Sequence, residues 1–315
     1  MKKSPAGVKL KYCFVKEELK IKKVFRFSCK GLGFGEGKNF FSREKKFFPS
    51  PRADSPCHEQ EERCKMKYAY LKYPWGSEWC GMMLFCGKRN ILLDSAVEEA
   101  FFPFLYDELK KHDLTVSDID IVANTHSHGD HIGMNEKIVR FSGAEVLSFQ
   151  HGLQDNSVID GGDWRLEVIH TPGHSADSIS FLELESGVFF SGDTFEGRGT
   201  RYAGVALYND PAALLQTIEK VRRLYLDGRI SKMYLSHAYH ETGGIIDGAD
   251  VPSYLDLCRD TVLAYDRFIR SLPEDIEVSE AGTLLRKEFF ICEEVMNPRA
   301  AESTVRAHLR LKAAL

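Results

Sequence analysis

The stretch DIVANTHSHGDHIG, residues 120–133, decides the fold of this chain of 315 residues. Its first five residues predict a short buried β-strand, because consecutive apolar residues are bounded there by polar ones. His126, His128, Asp130 and His131 therefore lie just beyond a strand end, where loops project side chains into a crevice. Imidazole and carboxylate groups suit zinc, iron or manganese, and four of them exceed what one ion takes from a single loop. The spacing predicts a site for two metal ions.

Three more residues of ligand type each follow a predicted apolar strand further along the chain. They are His174 in TPGHS, Asp193 in FFSGDTF and His237 in YLSHAY. A single histidine on a loop is ordinarily a solvated side chain, whereas seven ligand-type residues at strand ends form a pattern that chance rarely produces. We therefore predict that the seven converge on one metal site.

The remainder of the chain alternates between short apolar strands and amphipathic helices, which is typical of an α/β fold. The predicted strands are 81–85, 90–93, 120–124, 145–149, 166–170, 178–184, 187–191 and 233–236. The predicted helices of the body are 101–112, 135–141 and 211–226, the last with Asp210 as N-cap and Pro211 at its first position. Three further helices, 254–272, 279–291 and 300–314, predict a C-terminal helical appendage.

Charge divides the chain into unequal parts. Residues 1–66 hold 17 Lys and Arg against 8 Asp and Glu, whereas residues 67–315 hold 25 against 38. The first segment is thus +9 and the rest −13, and an acidic body argues against nucleic acid as the partner. We predict a basic, poorly ordered N-terminal extension at 1–66, a main domain at 67–248 and a C-terminal helical segment at 249–315.

Neither a membrane span nor a secretory signal is predicted. No run approaches the roughly 20 apolar residues that a bilayer requires, and no apolar run follows the N-terminal lysines. The eight cysteines are scattered, without a CxxC pair, in a chain far larger than disulfide scaffolds. These features predict reduced thiols and a cytoplasmic location.

Residues 81–240 resemble the metallo-β-lactamase superfamily, and they are more similar to its glyoxalase II-type hydrolase branch than to its antibiotic-degrading branch. The resemblance implies a four-layer αββα sandwich with the metals in a cleft at one edge of two sheets. It also implies a ligand set with one residue shared by both ions. His126, His128 and His174 would hold the first ion, Asp130, His131 and His237 the second, and Asp193 would bridge them.

Two of these positions discriminate within the superfamily. Antibiotic-degrading members typically carry Cys or Ser at the bridging position, so the carboxylate of Asp193 argues against β-lactam hydrolysis. Flavodiiron reductases usually carry a glutamate where this chain has His128, which argues against redox chemistry at a di-iron site.

A hydrolase of a small ester, thioester or lactone is the function that this site implies. Two divalent cations lower the pKa of a shared water toward neutrality, so a metal-bridged hydroxide would be the nucleophile. Zinc is the expected metal, with iron or manganese as alternatives, and Asp130 would be catalytic because it orients the water or carries its proton. No GxSxG, P-loop or suitably placed GxGxxG motif offers another mechanism.

Substrate contacts are predicted in the loop that follows Asp193. The segment EGRGTRYAGVALYN carries two arginines, which suit a carboxylate or phosphate, and two tyrosines. A solvated connecting loop is the alternative interpretation. The predicted contacts with a small-molecule substrate are Arg198, Arg201, Tyr202, Tyr208 and His240.

Other functions keep part of the same pattern. A persulfide dioxygenase-like oxidoreductase would use a single iron held by two histidines and the aspartate, and a phosphodiesterase or nuclease of the superfamily would need a basic surface. A partner-binding protein on a degenerate scaffold conflicts with seven intact ligand residues. Arg306, Arg310 and Lys312 in the final segment form a small basic face, or belong to an amphipathic helix that packs on the body. Homo-oligomerisation is left open.

Overall fold

The computed structural model describes residues 67–238 and 243–313, and eleven strands within them form two sheets. The strands are β1 Lys67–Trp75, β2 Glu78–Cys86, β3 Ile91–Leu93, β4 Ile121–Ala123, β5 Glu145–Leu147, β6 Val158–Asp160, β7 Arg165–His170, β8 Ile179–Glu183, β9 Val188–Phe190, β10 Lys232–Tyr234 and β11 Ile245–Asp247. The helices are α1 Phe102–Lys110, α2 Gly129–Ile132, α3 Asn135–Ser142, α4 Pro211–Leu226, α5 Val251–Ser271, α6 Val278–Glu288 and α7 Ala301–Ala313.

Each sheet mixes parallel and antiparallel pairs. The first has the order β1-β2-β3-β4-β5, with β3, β4 and β5 parallel. The second has the order β11-β10-β9-β8-β7-β6, in which only β9 and β10 pair in parallel. Strands β4, β9 and β10 each end at a loop that carries predicted ligand residues, so the two sheets supply the site from both sides.

Strand β2 shows how the sheets are covered on both faces. Side chains alternate across a strand, so Met83 and Phe85 pack between the two sheets while Met82 and Leu84 pack on the outer face with α1. A third cluster joins the outer face of the second sheet to α4 and α5. Three apolar interfaces separate four layers, which confirms the predicted αββα sandwich.

The C-terminal helices are present, and they share an apolar cluster with the second sheet. Leu255 of α5, Leu285 of α6 and Val305 of α7 are buried in the same cluster as Phe189 of β9. The predicted helical appendage is confirmed, whereas the boundary near residue 248 stays a prediction. The prediction for residues 1–66 lies outside the described residues.

The sequence patterns predict most strands of the sandwich but not β1, β6 or β11. Strand β1 mixes lysines with tyrosines and pairs with β2 in antiparallel register from Lys67↔Cys86 to Trp75↔Glu78. Strands β6 and β11 have three residues each and form the two edges of the second sheet. Their strand conformation depends on pairing with a neighbour, which a local pattern of apolar residues does not encode.

Two further expectations concern cysteines and membranes. Cys80, Cys258 and Cys292 are free thiols in the described part of the chain, in keeping with the predicted reduced state. Among the described helices, none combines the length and apolar character of a membrane span. The cytoplasmic location stays a prediction.

Candidate metal centre

The seven predicted ligand residues meet at one end of the two sheets. The loop after β4 and the short helix α2 carry four of them, the loop between β7 and β8 carries His174, and the loops after β9 and β10 carry Asp193 and His237. Five of the seven are buried, whereas His128 is exposed and Asp130 is half-buried. Tertiary structure thus brings together residues that lie up to 111 positions apart in the chain.

Three imidazole nitrogens converge in the first cluster. Nδ1 of His128 lies 2.9 Å from Nε2 of His126 and 3.0 Å from Nε2 of His174. Unprotonated ring nitrogens that face one another at this distance present three lone pairs to a common point, which is the arrangement of a histidine metal site.

Two histidines and two carboxylates make the second cluster. Nε2 of His131 lies 3.1 Å from Oδ2 of Asp193, and Nε2 of His237 lies 3.3 Å from Oδ2 of Asp130. One ligand atom from each of these four residues lies within 4.8 Å of the others. Mixed nitrogen and oxygen donors at this spacing suit a divalent ion of the zinc, iron or manganese type.

Asp193 faces both clusters. Its Oδ2 lies 3.8 Å from Nε2 of His174 and 4.0 Å from Nε2 of His126, and its Oδ1 lies 3.8 Å from Nε2 of His237. Oδ1 of Asp193 and both ring nitrogens of His237 are buried and make no hydrogen bond to any described residue. Buried polar atoms without partners are costly, and cations between the clusters would satisfy them. The residues present therefore fit two divalent ions.

Hydrogen bonds fix the ring nitrogen that each histidine offers. Nδ1 of His174 lies 3.0 Å from the carbonyl oxygen of Leu207, so Nδ1 must carry the proton and Nε2 is free to bind a metal. The Thr125 hydroxyl donates to Asp94 and thus accepts from Nδ1 of His126, which frees Nε2 of His126 in the same way.

Asp94 supports this centre, although no sequence pattern identified it. It follows β3 with φ of 61°, and its side chain is 1% exposed. Its Oδ2 lies 2.8 Å from Nδ1 of His131, and its Oδ1 accepts from the backbone N–H of Thr125 at 2.8 Å. One carboxylate thus orients His131 directly and His126 through Thr125, as outer carboxylates do at metal sites.

The surroundings set the pKa values of the two clusters differently. Burial and the neighbouring histidines hold the pKa of His126 well below its usual value, and burial also lowers the pKa of His128. Burial acts in the same direction on His237, but Asp193 and Asp130 outweigh it and raise the pKa of His237 to about 9. Burial also opposes charge on His174, but Glu196 and Asp193 outweigh it and raise the pKa of His174. His126 and His128 therefore favour the neutral imidazole, whereas nearby carboxylates stabilise positive charge on His174 and His237.

Gly192 allows the loop before Asp193 to approach Thr125. It has φ of +57°, and a Cβ atom at this position would lie 2.6 Å from Oγ1 of Thr125. We expect Gly192→Ala to lower the free energy of unfolding, measured by urea denaturation, by at least about 1 kcal/mol more than Gly143→Ala. Gly143 is the matched control because its φ is +72° and a Cβ there meets no atom within 4 Å. Equal losses would contradict this steric account.

A cavity of about 600 Å³ opens onto both clusters. Its outer wall is formed by Trp75, Val97, Leu207 and the two tyrosines of the predicted contact loop, Tyr202 and Tyr208. Cavities of this size hold small molecules, and an apolar wall beside polar groups at one end is their usual form.

The other predicted substrate contacts do not line this cavity in the described structure. Arg198 is exposed and lines a separate crevice beside α5, while the backbone N–H of Arg201 donates to Glu78. His240 lies outside the described residues. Of the five predicted contacts, the structure therefore brings only Tyr202 and Tyr208 to the cavity, and the contacts themselves stay predictions.

Glu196 is a second residue that the sequence patterns did not identify. It is buried, its Oε1 lies 3.5 Å from Nδ1 of His174, and its Oε2 accepts from the backbone N–H of Leu207 at 2.7 Å. Burial raises the pKa of Glu196 to about 7. Its position three residues after Asp193, on the same loop, is the only sequence signal that points to it.

Helix α7 holds residues 206–208, which contribute Leu207 and Tyr208 to the wall of the cavity. The hydroxyl of Tyr208 lies 2.8 Å from Nε2 of His308, and Oγ1 of Thr304 donates to the carbonyl oxygen of Ala206 at 2.9 Å. Helix α7 therefore takes part in building the cavity that faces the metal centre.

Comparison with known families agrees with this geometry. The model of the Metallo-beta-lactamase superfamily matches residues 75–154 and 147–237, which together make up just over half of the chain and contain all seven ligand-type residues. The chain belongs to the metallo-beta-lactamase superfamily. Within that superfamily it is similar to hydroxyacylglutathione hydrolases, the glyoxalase II enzymes.

Individual relatives match only parts of their own length. A hydroxyacylglutathione hydrolase of Hahella chejuensis is 34% identical over 125 residues, 36% of this chain and 46% of that protein. The Beta-lactamase-like protein 2 homolog of Drosophila melanogaster is 28% identical over 178 residues, 49% and 56% of the two chains. The chain thus spans about half the length of these curated relatives.

A solved structure supports the superfamily fold. A metallo-beta-lactamase family protein from Thermus thermophilus superposes with a TM-score of 0.61 at 20% identity, covering 78% of this chain and 94% of the other. At this identity the likeness establishes the αββα fold and nothing about the substrate.

Proposed function

We propose that this protein is a binuclear metal-dependent hydrolase that cleaves a small ester, thioester or lactone. The observation that carries the proposal is the position of Asp193 between the two clusters. Its Oδ2 lies 3.8 Å from His174 and 4.0 Å from His126 of the first cluster, and 3.1 Å from His131 of the second. A carboxylate shared in this way suits two ions held close together. His126, His128 and His174 would hold one ion, and Asp130, His131 and His237 the other.

When bound, two divalent ions would activate water as a nucleophile and polarise the scissile carbonyl group. The chain's own residues would prepare the site for that chemistry. Asp94 and Leu207 fix the proton positions of His131 and His174, so that Nε2 of each ring faces the centre. Asp130 lines the cavity and keeps a lowered pKa despite burial, because His131 and His237 are close. It therefore stays ionised, and its carboxylate would orient the water.

The walls of the cavity and the curated relatives both favour an acyl compound. Trp75 and the ring of Tyr202 are stacked with centroids 5.5 Å apart, and with Leu207 they give the cavity an apolar side that would exclude water from the bond to be cleaved. Several relatives are named hydroxyacylglutathione hydrolase, which supports a thioester among the candidate substrates.

The proposal is tested by metal analysis and a substrate panel on purified full-length protein. We expect about two divalent ions per chain, zinc first, with iron and manganese as the alternatives, and turnover of at least one thioester, aryl ester or lactone. One iron per chain, with oxygen consumption on a persulfide substrate, would instead establish a dioxygenase. Turnover of a phosphodiester alone would establish a phosphodiesterase or nuclease.

Metal removal should affect stability as well as activity. Ligands that bind only the folded state stabilise it, by about 4 kcal/mol when present at 1,000 times their Kd. Dialysis against a chelator should therefore abolish hydrolysis and lower the Tm by several degrees, and added zinc should restore both. An unchanged Tm together with full activity in the chelator would contradict the proposed centre.

A further inference from the structure

A second concavity, of about 410 Å³, lies on the surface beside the metal cavity. Its charged lining consists of Arg299, which precedes α7, and of Glu302, Arg306 and Arg310 on α7. We call this concavity the arginine groove. All three arginines are exposed residues, so the groove is open to solvent.

The arginine groove and the metal cavity adjoin each other. Asn209 and Ser303 line both of them. The backbone of Asn209 joins the two physically, because its N–H donates to the carbonyl oxygens of Gly173 and His174 and its own carbonyl accepts from Arg310 at 3.1 Å. A molecule with one end at the metal centre can therefore extend past Ser303 into the groove.

The charge of the groove is opposite to that of the body. Three guanidinium groups stand against the single carboxylate of Glu302, while residues 67–315 as a whole carry 25 basic and 38 acidic side chains. Arg306 pairs with Glu302 at 2.8 Å, but a guanidinium has five N–H donors and keeps several of them for a ligand. A local positive field on an acidic protein attracts anions toward this one opening.

We propose that the arginine groove binds a phosphate group on the leaving half of the substrate whose ester or thioester bond is cleaved at the metal centre. This inference rests on the proposed hydrolase function. Guanidinium forks match phosphate oxygens through paired hydrogen bonds. Three arginines with one carboxylate leave a charge of +2, which balances a phosphate dianion.

Binding of a matched pair of probes to the zinc-loaded, full-length protein tests the groove without catalysis. S-methylpantetheine and its 4′-phosphate differ by one phosphate group, and neither contains a bond that the enzyme would hydrolyse. We expect calorimetry to give a Kd for the phosphorylated probe that is about 10- to 100-fold lower, as charge-assisted hydrogen bonds allow. The preference should shrink as salt is raised.

Substitutions in the arginine groove show whether the phosphate group binds there or at the metal centre. The double variant R299Q and R306Q should lose most of the preference for the phosphorylated probe while binding the neutral probe as before. Glu302→Gln should strengthen binding of the phosphorylated probe by roughly two- to fivefold, because it removes the competing carboxylate. Arg267→Gln, an exposed arginine of α5 outside the groove, is the matched control and should change neither probe.

Three results would overturn the inference. One is equal binding of the two probes, and another is a phosphate preference that persists in the double variant, which would place the phosphate at the metals. The third is an arginine-dependent preference for S-methylglutathione, whose anionic groups are carboxylates, over the phosphorylated probe.

Kinetics with the S-acetyl forms of the same pair distinguish this inference from the proposed function. The phosphate should lower KM by a similar factor and leave kcat within about twofold, since the groove lies away from the reacting bond. Hydrolysis of both S-acetyl compounds at equal KM would contradict phosphate binding in the arginine groove, but not the proposed hydrolase function. A phosphate preference in binding, with no hydrolysis of any ester, contradicts the proposed function alone.

Discussion

Replacing Asp193 by alanine should reduce ester or thioester turnover by about 1,000-fold or more and leave one metal ion or none per chain. Asp193 places a carboxylate oxygen within 4.0 Å of histidines from both clusters. Its removal also leaves the second cluster with Asp130 as its one carboxylate. The measurements are kcat/KM on the best panel substrate and metal content by elemental analysis.

Two control variants make the Asp193 result interpretable. Asp193→Asn keeps the shape of the side chain and removes its charge, so it should also lose metal but unfold at a Tm closer to that of the parent. Asp247→Asn changes an aspartate of β11 whose side chain is 71% exposed, and it should leave turnover and metal content unchanged. Two tightly bound ions with near-normal turnover in Asp193→Ala would show that Asp193 is not a bridge.

Replacing Asp94 by asparagine should weaken zinc binding by about 10- to 100-fold, the usual cost of losing an outer carboxylate at a metal site. Asparagine tolerates the positive φ of this position, so backbone strain does not account for the loss. The neutral amide no longer stabilises charge on His131, and it has one acceptor oxygen where the carboxylate has two. Competition with a chromogenic chelator measures the zinc affinity.

The matched comparison for Asp94 is Asp94→Ala. Alanine at φ of 61° adds strain and leaves Thr125 and His131 without their buried acceptor, so its Tm should fall well below that of Asp94→Asn. If Asp94→Asn bound zinc as tightly as the parent protein, the carboxylate would have no role in orienting the ligands.

Local sequence was sufficient for the parts of the site that are encoded within a few residues. The spacing of His126, His128, Asp130 and His131 after an apolar strand predicts both their position at a strand end and their chemistry. Long helices with a regular apolar pattern were equally predictable from the sequence, and α4 spans the predicted residues 211–226. In each case the signal is carried by neighbours in the chain, which a single sequence displays.

Residues that act through distant partners carry no such signal. The sequence pattern identifies Asp94 only as the polar residue that ends a strand. The fold brings its Oδ2 to within 2.8 Å of Nδ1 of His131, which lies 37 positions away in the chain. Glu196 is likewise defined by its contacts with His174 and Leu207. The sequence shows that a residue is an aspartate or glutamate, but not whether its carboxylate lies on the surface or beside a metal ligand. The role of such a residue therefore depends on burial and partners that only the structure shows.

The sequence by itself determined the α/β pattern and the seven ligand-type residues, because strand periodicity and ligand spacing are local properties of the chain. Its resemblance to a known superfamily implied the αββα sandwich. Only the tertiary structure decided which of the predicted contacts, Tyr202 and Tyr208, reach the cavity, and that the C-terminal helix supplies its neighbour, the arginine groove. Cavities are formed where segments far apart in sequence pack together, and their walls are therefore properties of packing.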